Sequence, residues 1–118
     1  MNATGAAATR LLSADLMREP LDPDGGSEPL AAASSVLRGP VSRPSHLGEL
    51  TVGLWEAGPG VDVDVECDEI FVVLSGNGTL TFDDDSSIDL KAGVVVELHE
   101  GDRTSWVITH RLRKLYLA

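Results

Sequence analysis

The chain has 118 residues, with 42% hydrophobic and 24% charged content, enough for one domain with its own core and too little for two. Its 19 acidic and 9 basic side chains leave a formal net charge of −10, which argues against a nucleic-acid partner, because phosphate binding needs clustered Lys and Arg. Cys67 is the single cysteine, so an internal disulfide and a cysteine-based zinc site are both excluded. That usage fits a reducing cytosol.

No basic region precedes the first apolar stretch, and Ser13, Asp15 and Arg18 interrupt it, so a secretory signal is not expected. No apolar run is long enough to span a bilayer. The expectation is a cytoplasmic protein with no membrane partner. Residues 1–28 form an N-terminal arm, poorly ordered unless docked, with a weak helix over Ala6 to Glu19; the remaining domain runs over residues 29–118. Pro20, Pro23, Gly25, Gly26 and Pro29 break regular structure after that helix. Pro40 and Pro44 then favour extended edge segments.

From Leu50 the pattern is almost all strand, with turn signals every eight to twelve residues or so. The expected strands are Leu50 to Glu56, Val61 to Glu66, Glu69 to Leu74, Gly78 to Phe82, Ile88 to Leu90, Val94 to Leu98, Thr104 to Thr109 and Leu112 to Leu117. Ser75-Gly76-Asn77-Gly78 reads as a turn and Asp83 to Ser87 as an acidic hairpin tip. Many short strands without intervening helices mean a sandwich or a closed barrel, and a jelly roll is the natural candidate.

Strand periodicity sorts the side chains by face. Val61, Val63 and Val65 share one face, and Asp62, Asp64 and Glu66 the other, which reads most simply as a solvated face. Glu69 shares a face with Phe71 and Val73. If these point inward, Glu69 is a carboxylate near the barrel mouth and must be paired, hydrogen-bonded or protonated. It is the candidate catalytic acid or base, with pairing to Arg103 as the structural alternative. Thr104, Trp106 and Ile108 share a face, while Gly53 leaves space beside Trp55. Trp55, Phe71, Thr104 and Trp106 are the candidate ligand-binding residues. Arg111, Arg113 and Lys114 read as one strand's solvated face. His46, His99 and His110 show no ligand spacing and read as surface residues, and the acids beside Cys67 disfavour a reactive thiolate.

The order of Gly53-Leu-Trp55-Glu56, Gly58-Pro59-Gly60, Glu69 with Gly76, Gly93 to Gly101, Trp106 and Arg113-Lys114-Leu-Tyr116 resembles the short single-domain cupins of the ureidoglycine-aminohydrolase and ethanolamine-utilisation type. The resemblance covers roughly the stretch from Val36 to Ala118 and implies an all-β cupin double-stranded β-helix, a jelly-roll barrel with its active centre inside. It also implies pairing of two copies, so a homodimer is expected. In metal-binding cupins two histidines, a glutamate and a third histidine hold the ion. Here Glu69 matches the glutamate, Asp62 and Asp64 fall where the paired histidines belong, Thr104 falls where the last belongs, and His99 stands at a usual proline. No cofactor is expected on this pattern. The alternative is a divalent ion such as Mn²⁺ or Mg²⁺ held by Asp62, Asp64 and Glu69, all hard oxygen donors.

Three functions stay open. The first is a barrel binding a small polar, nitrogenous molecule, with a degenerate metal site and at most a modest hydrolase- or isomerase-like activity at Glu69. The second is a divalent-metal-dependent aminohydrolase-like enzyme with carboxylate ligands. The third is a non-catalytic dimerising barrel.

Overall fold

Two long strands carry the architecture. In a computed structural model that describes residues 5–23, 30–41 and 46–118, helix α1 (Gly5–Arg10) precedes β1 (Asp22–Pro23), β2 (Ala33–Arg38), β3 (Val52–Ala57), β4 (Gly60–Val65), β5 (Glu69–Phe82), β6 (Ser87–Leu90), β7 (Val95–Leu98) and β8 (Arg103–Leu117). β5 and β8 pair antiparallel along nearly their full length, from Ile70↔Leu117 to Phe82↔Thr104. Each passes from one half of the barrel to the other. The C-terminal part of β8 pairs with β3, which carries β2 and β1 beyond it, while the N-terminal part of β5 takes β7. On the other half, the N-terminal part of β8 pairs with β4 and the C-terminal part of β5 with β6.

The turn expected at Ser75 to Gly78 is a bend inside one continuous strand. Register shifts fall at Val73/Ser75, Ser75/Asn77 and Asn77/Gly78, as bulges do where a sheet curls. Gly76 has φ +92°, and a Cβ there would lie 2.2 Å from the Arg111 carbonyl oxygen. The glycine therefore serves the fold by letting two strands approach at the bend, where a hairpin would have parted them. The two strands expected over residues 104–117 are likewise one. The Asp83 to Ser87 tip is a reversal as expected, closed by Phe82 N–H donating to the Ser86 carbonyl (2.9 Å).

Side chains from both halves meet in one core that includes Ala57, Phe71, Val73, Leu80, Leu90, Leu98, Trp106, Ile108 and Leu112. Fully burying such aliphatic and aromatic groups is worth roughly 1.5–3 kcal/mol each. On the other face of β3 and β8 the N-terminal arm docks. The helix ends at Arg10 instead of continuing to Glu19, and the chain then follows the barrel wall. Arg113 Nε donates to the Leu16 carbonyl (2.9 Å), its Nη2 to the Glu19 carbonyl (2.6 Å) and its Nη1 to Glu56 (2.9 Å). Arg111 adds bonds to Glu56, Gly58 and Ala31. Arg113 is thus not a solvated residue: it is only 8% exposed, and charge and carbonyl dipoles satisfy it in its burial. The breaks expected at Gly25, Gly26, Pro29 and Pro44, and the arm's boundary at residue 28, lie outside the described residues. Among the described residues no helix is long and apolar enough to cross a membrane.

Candidate functional site

A cavity of about 310 Å³ opens between β3, β4, β5 and β8, lined among others by Trp55, Asp62, Asp64, Glu66, Glu69, Trp106 and Lys114. Strand parity explains most of the lining. On β8 the even positions Trp106, Leu112 and Lys114 face inward and are all buried, while His110 at the bend is exposed. On β4, Asp62 sits opposite Trp106 and Asp64 opposite Thr104, so the acids face the cavity and the valines face out, Val63 being 73% exposed. This reverses the solvated-face expectation for Asp62 and Glu66, which are partly buried, while Asp64 lines the cavity rim and stays exposed. Alternation alone cannot say which face is inside, and here the polar face lines the site.

Lys114 is the centre of the site. Its residue is 7% exposed, and its Nζ lies 4.5 Å from the centroid of the Phe71 ring, 4.9 Å from Trp55 and 5.0 Å from Trp106. Trp106 packs against both other rings, at 5.6 Å from Phe71 and 5.8 Å from Trp55. The ring faces attract the ammonium through their quadrupoles, and Glu69 Oε2 accepts one of its hydrogens at 2.7 Å. The expected partner of Glu69, Arg103, is exposed on the far end of β8; Lys114 takes that place.

Glu66, just past β4, sits beside Thr104. Its Oε2 accepts from Thr104 Oγ1 (3.0 Å) and from Trp106 Nε1 (3.2 Å). Burial pushes its carboxyl above the usual glutamate value, Asp64 adds to that push, and the two hydrogen bonds and Lys114 act against it. Glu66 is therefore the cavity carboxyl that burial disposes to hold a proton.

The remaining expected site residues divide clearly. Trp55 and Trp106 line the cavity. Phe71 is buried and forms the floor beneath Lys114. Thr104 is buried and orients Glu66. The space expected over Gly53 is filled by Tyr116, for a Cβ at residue 53 would lie 2.4 Å from that ring.

The carboxylate set Asp62, Asp64 and Glu69 does not fit a metal. Among the described residues no three His, Cys, Asp or Glu side chains are grouped to hold an ion. Asp62 and Asp64 turn back to accept the N–H groups of Val63 (2.9 Å) and Val65 (2.8 Å), and Glu69 already has an internal cation in Lys114. His46, His99 and His110 are exposed. His99 bonds Glu97 at 2.8 Å, which raises its pKa.

Two residues at the heart of the site escaped the sequence reading. For Lys114 a signal existed: counting by twos from the inward Trp106 reaches it. For Glu66 the signal was its shared face with Asp62 and Asp64.

A small antiparallel jelly roll with its polar centre inside the barrel defines a cupin. The profile of the EutQ-like cupin domain matches residues 44–116, and the chain belongs to that family. It is similar in structure to a putative ethanolamine utilization protein Q from Salmonella typhimurium LT2, with 21% identity over 83% of this chain and 76% of that one and a TM-score of 0.66. It is also similar to the EutQ protein of Clostridium difficile, with 19% identity over 81% and 74% and a TM-score of 0.62. A protein of unknown function from Pseudomonas syringae aligns over 87% of this chain and 45% of its own length, with 20% identity and a TM-score of 0.71. At these identities the likeness shows the fold alone. No curated protein matches the chain significantly. The ethanolamine-utilisation-like side of the expected resemblance is borne out.

Proposed function

We propose that the protein binds a small, polar, amine-bearing molecule in the barrel cavity. The observation that carries this reading is the composition of the wall. Trp55 and Trp106 stand beside Asp62, Asp64, Glu66 and Glu69, and among the described residues Lys114 is the one cationic side chain lining the cavity. Tryptophan faces and carboxylates both attract a cation, and four acids against one lysine disfavour a net anion. The volume of about 310 Å³ admits a small molecule.

Any proton transfer on such a ligand falls to Glu66 instead of Glu69. Glu69 is committed to the Lys114 ammonium, whereas Glu66 is raised by burial and oriented by Thr104 and Trp106. A general acid–base group near the working pH is the usual requirement for a modest hydrolytic or isomerising step.

Titration calorimetry and thermal shift with a panel of small primary amines and of size-matched carboxylic acids test this reading. Amines are expected to raise Tm and release or absorb heat saturably, with stabilisation of about 2.7 kcal/mol at a hundred times Kd. Binding of the acids in preference to the amines, or of neither, overturns it.

A further inference from the structure

We infer that Lys114 is the cavity's oxygen-binding group, so that the ligand carries a neutral oxygen acceptor, an amide or hydroxyl, beside its amine. This deepens the ligand-binding reading above and rests on it. The argument begins with donors. An ammonium has three hydrogens, and the Lys114 side chain, 9% exposed, gives one of them to Glu69 Oε2 at 2.7 Å. Three aromatic rings surround Nζ at 4.5–5.0 Å. They hold the charge in place without supplying the lone pairs that the other hydrogens take best. Lys114 also lines the cavity, so an entering oxygen meets a desolvated donor that is already positioned.

The charge around it decides what kind of oxygen. Glu69 neutralises the ammonium, and Asp62, Asp64 and Glu66 lie on the same cavity wall. A ligand carboxylate would meet these acids with, among the described residues, only one cation, already paired, to favour it. A neutral carbonyl or hydroxyl takes the charge-assisted hydrogen bond without that repulsion. The amine of the same molecule then points to the acids and tryptophans. The class of ligand is a small amino amide or amino alcohol.

The test compares glycinamide with butylamine, which has the same number of heavy atoms and no oxygen, and adds glycine as the anionic-oxygen control. For the unaltered protein, calorimetry is expected to give glycinamide an affinity about tenfold to a hundredfold above butylamine, the worth of one hydrogen bond to a charged group. Glycine should bind more weakly than glycinamide. In Lys114→Met the advantage of glycinamide over butylamine should vanish. Equal affinities for glycinamide and butylamine in the unaltered protein overturn the role of Lys114 and leave the amine-binding reading standing. Absence of binding by either overturns both.

A second measurement needs no substitution. The chain has two lysines, Lys91 and Lys114, and Lys91 is exposed. The side-chain ¹⁵N signal of Lys114 is expected to shift on addition of glycinamide and to stay nearly still with butylamine, with Lys91 as the internal control. Like shifts with both ligands sink the inference.

Discussion

Arg113 and Lys114 are neighbours on β8 and point to opposite faces of the same sheet. Both are nearly as buried as the aliphatic core, at 8% and 7% exposure, and each pairs with a glutamate, Glu56 outside and Glu69 inside. The difference lies in completeness. Arg113 spends three of its nitrogens on Glu56 and on the carbonyls of Leu16 and Glu19, clamping the N-terminal arm to the barrel. Among the described residues Lys114 has one carboxylate oxygen, three ring faces and a cavity beside it. A buried charge whose hydrogen bonds are filled by the protein is a structural device. One left with donors facing a cavity is available to a ligand.

The largest effect should come from removing the outer charge. Arg113→Met strands two arm carbonyls and half of the Glu56 pairing, and a loss of about 2–4 kcal/mol is expected in urea denaturation. Lys114→Met should cost about 1 kcal/mol or less, because methionine fills the aromatic box and Glu69, whose side chain is 21% exposed, can reach water. Similar losses for both variants would erase the structural contrast between the two charges.

Next is the wall between them. Gly53→Ala drives a Cβ into Tyr116 at 2.4 Å, and the ring has to swing aside at a cost of about 1–2 kcal/mol. Amine affinity measured by calorimetry should change with it. An unaltered affinity would mean that Tyr116 does not shape the bound site.

The two glutamates sharpen the comparison through pH, since they shift in opposite directions from 4.5. At Glu56, burial acts upward but the hydrogen bonds and charges of Arg113 and Arg111 outweigh it, so its pKa falls. Its contribution to stability is present above 4.5 and is lost as pH drops through the lowered folded value. Glu66 behaves inversely. Between 4.5 and its raised folded value the native state binds more protons than the unfolded chain, so stability falls as pH rises through that window. Glu56→Gln should therefore weaken the fold at neutral pH and flatten the acid limb. Glu66→Gln, which keeps an acceptor for Thr104 and Trp106, should slightly stabilise it above the window and remove the opposite slope. Denaturation midpoints from pH 3 to 8 read both, and changes in slope of the same sign relative to the unaltered protein would refute the assignment of inner and outer environments.

The smallest effect is expected outside. Val63→Thr on the exposed face of β4 should change stability by no more than about 0.5 kcal/mol. A larger loss that depends on protein concentration would instead mean that the valine face is covered by a second copy, the homodimer that the cupin resemblance implies.

Much of this was legible in the chain before any coordinates. Short alternating strands, glycine punctuation and the absence of long helical periodicity determined a jelly roll, because a period of two and its turns are local properties. The same periodicity grouped Trp106 with Thr104 and Ile108 on one face of its strand, and the family marks placed Glu69 and the tryptophans near the cavity. What only the tertiary structure decided is which face of an alternating strand is the inner one and which charges meet. Asp62 and Glu66 looked as solvated as Asp64 because acids beside valines usually are, yet closure of the barrel turned the valines outward and partly buried these two. Lys114 looked like part of a basic surface because its neighbours Arg111 and Arg113 do face outward. Its burial follows from pairing with Glu69, 45 residues away in the sequence, and an ion pair across strands is a property of register and closure that no local pattern contains.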